Sequence, residues 1–395
     1  MDKGKTTSNQ ILKSINQQKV LRLIFTHGPI SRVELAEQTG LTQQTITNIV
    51  RRLLDRDIIK ELKPRSYVTG RKPIPLVIHG ESLYGIGIEI AVKYVRGSLM
   101  NFSGETIYEI SVDVPKFENP EHPMQYIYEV VDQLLTYVPD PNRLKGIGCS
   151  IQGLVDSQEG KVIYSPGLKW NEFPLRQKLE ERYQMPIYIE NDANLLALVE
   201  NLNGVLSTSQ HNITFKFDYG IGAAVFSNKQ LVQGAAHVAG ELGHYKFYTG
   251  EDALLCHCGG KGCLTTHASV SGLIGNGGFT LEELEKGVLE KEAKAMEWFQ
   301  KMTEGMVQAI GNLITIFNPD HVIFTGKIIE QLDGLFVPSL TERIRENIPK
   351  TCQNVKVIRL SASPDESTLA VGLVMDNFFG VPIEKLTLPI TANEL

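Results

Sequence analysis

Three cysteines fall within eight residues in Cys256-His257-Cys258-Gly259-Gly260-Lys261-Gly262-Cys263, where glycines let the backbone wrap around a centre. Three thiols make most of a tetrahedral Zn2+ site and lack one ligand. His244, twelve residues upstream in Ala239-Gly240-Glu241-Leu242-Gly243-His244, supplies the imidazole that completes a Cys3His set, with His257 and His237 as competitors. A closed site with four ligands has no position for water, so the expected zinc is structural. In a reducing cytosol these cysteines are not disulfides. Cys149 and Cys352 read as buried small apolar residues.

The second group is Glu190-Asn191-Asp192-Ala193-Asn194, directly after the apolar run Pro186-Ile187-Tyr188-Ile189. An Asn-Asp pair at the C-terminal end of a strand is placed to bond adjacent sugar hydroxyls, and the Asp could serve as a base. The same pair before a helix also reads as an ordinary N-cap. Glu241 strengthens the binding reading, because a carboxylate close to a metal-held loop is rigidly presented.

A third group lies near the N-terminus. Ser31 is followed three residues later by Glu34, a capping box, and Thr39-Gly40-Leu41 makes a tight turn before Thr42 caps another helix. That helix runs to about Asp55, with Ile46, Ile49, Val50, Leu53 and Leu54 inward and Gln43, Gln44, Thr47, Asn48 and Arg51 outward. The layout is a helix-turn-helix. Gln and Asn bond adenine bidentately and Thr can touch a thymine methyl. Ile58 to Leu62 and Tyr67 to Pro73 read as a wing whose Arg71 and Lys72 meet phosphates. The candidate DNA contacts are Ser31, Arg32, Thr42, Gln43, Gln44, Thr45, Thr47, Asn48, Arg51, Arg71 and Lys72, with Arg52 adding phosphate charge.

These groups need elements to hold them. A helix with apolar residues from Ile11 to Phe25 precedes the helix-turn-helix and stops at His27-Gly28-Pro29. After Gly80, strand-like runs alternate with helices, which predicts α/β architecture. Leu83–Ile90 with Tyr94–Phe102, and Ile213–Phe217 with Gly222–Phe226, read as two hairpins that each open a lobe. Strands are predicted at 146–150, 187–190 and 321–325, and helices at 122–137, 175–183, 193–201 and 291–317. Residues 1–80 hold 14 Lys/Arg and 6 Asp/Glu, net +8, which leaves 25 and 39 for the rest, net −14. The overall −6 therefore averages a basic module that meets phosphate and an acidic body that does not. At 42% hydrophobic and 21% charged residues, a disordered, collagen-like or disulfide-scaffold chain is excluded. No run reaches roughly 18 apolar residues and the start of the chain is polar, so a cytoplasmic protein is expected.

Taken together and in order, these residues resemble the ROK family of repressors, open reading frames and kinases. The resemblance is carried by Ser31-Arg32-x-Glu34-Leu35-Ala36, Gly40-Leu41-Thr42, Gly70-Arg71-Lys72-Pro73, Gly146-Ile147-Gly148 to Asp156, Ser165-Pro166 to Trp170, Glu190 to Asn194, Gly240-Glu241-x-Gly243-His244 and the cysteine cluster. It implies an N-terminal winged helix-turn-helix (residues 1–80) followed by two ribonuclease-H-like (actin-like, sugar-kinase-type) lobes. The first lobe is expected at 81–192, completed by a C-terminal helix at 376–395. The second is expected at 193–375 and carries the zinc motif and an oligomerisation surface. The resemblance also makes Asn191, Asp192, Glu241 and His244 sugar-site residues and His244, Cys256, Cys258 and Cys263 the zinc ligands, with His244 doing both jobs. Asp192 matches the general base of family kinases.

Departures from the family pattern separate repressor from kinase. The phosphate loop Asp-x-Gly-Gly-Thr-Lys reads Glu89-Ile90-Ala91-Val92-Lys93 here, and the second, Gly-Thr-Gly-x-Gly, reads Asp218-Tyr219-Gly220-Ile221-Gly222. Side chains fill the anion nest and a carboxylate enters it, so no ATP-dependent phosphorylation is expected. Gly167 replaces a frequent Asn and Thr265 a frequent Glu, which removes two hydroxyl partners. The reading is a sugar-responsive repressor of carbohydrate-utilisation genes, a dimer or tetramer on an inverted-repeat operator. The alternative is an ATP-dependent sugar kinase with an appended DNA module.

Overall fold

A computed structural model describes residues 8–63, 74–115, 119–202, 204–360 and 365–380. Three helices come first: α1 (Ser8–His27), α2 (Arg32–Thr39) and α3 (Gln43–Asp55). Ser31 and Glu34 form the expected capping box, α2 ends at Gly40 in the left-handed conformation (φ 70°), and Thr42 caps α3 by accepting from the Thr45 N–H. The strands β1 (Ile59–Glu61) and β2 (Leu76–Ile78) pair antiparallel, and Ile30 bridges to Leu76. The second wing strand thus lies after the expected Tyr67–Pro73, which falls outside the described residues.

Two five-stranded sheets follow. The first contains β3 (Tyr84–Ile90), β4 (Tyr94–Asn101) and β5 (Thr106–Asp113) as an antiparallel meander. After α4 (His122–Thr136) come β6 (Leu144–Ile151), a small sheet of β7 (Leu154–Asp156), β8 (Lys161–Ser165) and β9 (Trp170–Phe173), then α5 (Leu175–Tyr183) and β10 (Ile187–Asn191). The order is β10-β6-β3-β4-β5, with β6 parallel to both β3 and β10. Helix α6 (Asp192–Leu202) leads to the second sheet: β11 (His211–Phe217), β12 (Ile221–Ser227) and β13 (Gln230–Leu231), again a meander. Helices α7 (Thr265–Ala268), α8 (Val270–Gly272), α9 (Leu281–Leu289) and α10 (Ala293–Phe317) precede β14 (His321–Thr325). Then α11 (Lys327–Gln331) and α12 (Asp333–Asn347) precede β15 (Lys356–Arg359). The order β13-β12-β11-β14-β15 repeats that of the first sheet. The two lobes therefore share one topology, a three-strand meander extended by two parallel strands, which is the expected ribonuclease-H-like arrangement.

Each lobe's last helix crosses to the other. Helix α6 packs on β11 and β12, and α13 (Glu366–Phe379) packs on β3, β6 and β4. The helix that completes the first sheet therefore starts at Glu366 and not at residue 376, while 381–395 lie outside the described residues. Gly87 and Gly148 seat it: a Cβ there would lie 1.8 Å from the Ser367 carbonyl oxygen and 1.9 Å from that of Ala370. At these two positions no side chain larger than hydrogen fits between sheet and helix. The far end of α13 joins the three N-terminal helices, because Val371, Val374 and Phe379 share one buried core with Val20, Leu21, Ile24, Leu35 and Ile49.

Candidate functional site

Helix α3 presents one face to the core and the other to solvent. Ile46, Ile49, Val50 and Leu53 are buried, while Thr42, Gln43, Gln44, Asn48, Arg51 and Arg52 are exposed and Thr45 and Thr47 are half-buried. Gln44 donates from Nε2 to Asn48 Oδ1 at 3.3 Å, and the Thr47 hydroxyl is tied to the Gln43 carbonyl at 2.8 Å. Two expected contacts do other work. Ser31 is buried and its hydroxyl is engaged in the cap; Arg32 pairs with Glu61 at 2.7 Å. Arg71 and Lys72 lie outside the described residues.

The cysteine segment folds into a tight knuckle. The Cys256 N–H donates to the Gly260 carbonyl and the Gly259 N–H to the Cys256 carbonyl. Donor atoms of His244, Cys256, Cys258 and Cys263 all lie within 4.8 Å of one another. Cys258 and Cys263 sulfurs are 3.6 Å apart, and His244 Nδ1 is 3.6 Å from Cys256 Sγ. Edges of this length suit a tetrahedron around one ion with bonds of roughly 2.0–2.3 Å. Burial pushes the Cys256 thiol up to about 12, whereas the Gly260 backbone N–H holds Cys258 below its ordinary value. Lys246 Nζ lies 2.7 Å from Cys263 Sγ and adds positive charge beside the thiols. The cluster can hold a metal ion.

Between the lobes lies a narrow cleft, closed here down to a cavity of about 10 Å³, lined on one side by Gly153, Leu154, Val155, Asn191 and Asn194 and on the other by Gly222, Ala223 and His237 to Glu241. Asn191 both caps and lines. Its Oδ1 accepts from the N–H groups of Ala193 and Asn194, as the N-cap alternative requires, while its Nδ2 donates to the Gly153 carbonyl at 2.9 Å. Glu241 is pushed up to about 7 by burial and, secondarily, by the charge of Asp192. Asp192 and His244 do not line this cleft. His244 faces the thiols, and Asp192 is ion-paired with Lys216 at 2.5 Å.

Lys216 was not singled out by sequence reasoning, although a lysine between Phe215 and Phe217 in an apolar strand demands buried partners. Its neighbours on β11 alternate: Phe215 and Phe217 enter the core of the second lobe, and Lys216 points to the opposite face. There Lys216 Nζ bonds Asp192 and Glu366, and the Ser150 hydroxyl donates to Glu366 at 2.7 Å. Burial works to lower the lysine, but Asp192, Glu366 and Asp218 outweigh it and hold Lys216 well above its ordinary value. Glu89, raised to about 7 by burial and then by Glu366, accepts from the Tyr94 hydroxyl at 2.6 Å. The two loops that depart from the phosphate-binding pattern face each other, with Lys93 Nζ 5.7 Å and Lys327 Nζ 4.5 Å from the centre of the Tyr219 ring.

A helix-turn-helix with a short wing, joined to a pair of like lobes around a cleft and a Cys3His cluster, defines a DNA-binding module carried by a sugar-kinase-type body. The chain belongs to the ROK family: the model of that family matches residues 85–375, and the MarR family model matches residues 13–65. It is 28% identical over 330 residues to the xylose repressor of Bacillus subtilis, covering 81% of this chain and 84% of the relative. It is 27% identical over 366 residues to an N-acetylglucosamine repressor of Escherichia coli, covering 88% and 89%. Among solved structures, a ROK family transcriptional regulator, homolog of the E. coli MLC protein, superposes with a TM-score of 0.82 at 23% identity over 95% of this chain and 99% of that one. A ROK family glucokinase from Streptomyces griseus gives 0.60 at 20% identity, covering 74% and 98%. No helix among the described residues is long and apolar enough to cross a membrane.

Proposed function

We propose that this chain is a cytoplasmic transcriptional repressor of carbohydrate-utilisation genes that binds DNA through α3 and a sugar in the cleft between its lobes. Residues 1–80 are the DNA module, 81–192 with α13 the first lobe, and 193–365 the second. The observation that carries the reading is the free, amide-rich face of α3 on a module whose core is continuous with α13. The relatives, repressors across most of their length, support it. Asn191 and Glu241 contact the sugar. Zinc, held by His244, Cys256, Cys258 and Cys263, fixes the loop that carries Glu241. As a dimer or tetramer the protein reads an inverted repeat, with Gln43, Gln44 and Asn48 on base edges and Arg51 and Arg52 on phosphates.

Chemistry in the cleft argues against a kinase. The carboxylate matching the family's general base is paired with a buried lysine, and the floor where phosphates would sit carries Glu89, Asp218 and Glu366. Side chains at positions where glycine backbone N–H groups would cradle phosphates leave no anion nest for a triphosphate.

The test is selection of bound sequences from a random duplex library, followed by mobility shifts with D-xylose, N-acetyl-D-glucosamine and D-glucose. An inverted repeat whose binding changes with one sugar is the expected result. No specific sequence at moderate salt overturns the repressor reading, and sugar-dependent ATP consumption above background overturns the non-catalytic one.

A further inference from the structure

We propose that His237 contacts the effector and decides which neutral sugar the cleft accepts; this rests on the cleft being the sugar site. Among the described residues, His237 alone combines a left-handed backbone (φ 57°) with a buried side-chain nitrogen, Nδ1, that has no hydrogen-bond partner. Either feature alone is a small penalty that a single substitution removes: glycine relaxes the backbone, and an apolar side chain removes the orphan nitrogen. Both sit on one residue in the cleft wall, beside Asn191 and Glu241. A ligand that supplies the missing partner accounts for the unpaired nitrogen.

The surroundings define the class of ligand. An imidazole nitrogen and a carboxyl each exchange hydrogen bonds with hydroxyls. The neighbouring Val238 and Ala239 offer an apolar surface for the C–H face of a ring. Anions are disfavoured, since no lysine or arginine is among the described residues that line the cleft, while the Glu190 carboxyl lies near His237 and Glu241 shares its wall. The ligand is therefore a neutral, unphosphorylated sugar, with His237 and Glu241 on different hydroxyls.

Calorimetry and thermal shift on the full chain test this with D-xylose, N-acetyl-D-glucosamine, D-glucose and glucose 6-phosphate. The variants are His237→Gly, which keeps the left-handed backbone without the ring, and His237→Asn, which tolerates that backbone and keeps a hydrogen-bonding side chain. The wild type is expected to bind one neutral sugar. Losing a partner to a buried polar site should weaken that sugar about tenfold in His237→Gly, with partial recovery in His237→Asn. Melting should stay within about 3 °C of wild type, because glycine suits the backbone there. A His237→Gly variant that binds the sugar within twofold of wild type overturns the His237 assignment alone, whatever its melting temperature. A wild type that binds none of the neutral sugars overturns the sugar site and this inference together. Preference for glucose 6-phosphate overturns the neutral class.

Discussion

Lys216 ties the second lobe to both helices that join the lobes, and Lys216→Met tests what it does. The ammonium sits on β11 of the second lobe, while its partners are Asp192 at the start of α6 and Glu366 at the start of α13, which packs on the first sheet. Methionine fills a similar volume but leaves two buried carboxylates without their cation. Breaking a buried pair by removing one partner costs about 3–5 kcal/mol. For a cooperative unit this long, that corresponds to a fall of roughly 5 °C in melting temperature. The pH dependence carries the sharper signature. Burial already raises Glu366, and Lys216 is the largest interaction opposing that rise. In the variant the folded-state pKa therefore climbs further above the unfolded value. The stability linked to such a group is full below its unfolded pKa and is lost as pH rises through the folded one. The gap between variant and wild type should accordingly be widest near pH 8 and narrow toward pH 5, as measured by circular dichroism melts in a pH series. Adding Glu366→Gln to Lys216→Met should recover part of the loss at pH 8. A Lys216→Met protein that melts within about 2 °C of wild type at pH 8, or whose deficit does not change with pH, refutes the reasoning.

Glu241→Gln should stabilise the protein above pH 7 by up to about 3 kcal/mol and leave it nearly unchanged at about pH 4, since burial holds the folded carboxyl up at about 7 against an ordinary 4.5. Thermal melts at the two pH values check the sign, and sugar affinity should fall in the same variant. Cys258→Ser should lower both the zinc content of purified protein, read by elemental analysis, and its melting temperature. Gln43→Ala and Gln44→Ala should cost about 1–3 kcal/mol on the selected operator and little on random DNA. Arg51→Ala should weaken both and reduce the salt slope by about 1.

How much of this was legible in sequence depends on the range of the interactions. The helix-turn-helix could be read nearly residue by residue because caps and turns are local: Ser31, Glu34, Gly40 and Thr42 each act within four positions. The metal donors were legible for the same reason, with His244 only twelve residues from Cys256. The partner of β1 at Leu76–Ile78 is not legible in sequence, because its place is fixed by pairing to Ile59–Glu61 and by the Leu76–Ile30 bridge, which no local pattern encodes. The Lys216–Glu366 pair spans 150 residues, and its sole trace in the sequence is a charged residue in an apolar strand. In sequence His237 reads only as a rival zinc ligand, because its conformation and its orphan nitrogen are properties of the folded loop.

Helix α13 makes the cleft and the DNA module one mechanical problem. At about 1.5 Å per residue its 14 residues span roughly 20 Å. Its first residue, Glu366, lies in the charge cluster under the cleft. At its other end Phe379 stacks on Phe25 of α1 with ring centres 4.2 Å apart, and Asp376 pairs with Arg22 at 3.0 Å. Between them, the seats at Gly87 and Gly148 leave no slack against the first sheet. A rod held so closely moves with that sheet, so closure of the lobes on a sugar would carry α1 along with the first lobe. Coupling of this kind is reciprocal in free energy: whatever factor the sugar imposes on operator affinity, operator DNA must impose on sugar affinity. Substitutions at Phe379 or Asp376, remote from both ligands, should therefore reduce the two effects by the same factor while leaving sugar affinity without DNA unchanged.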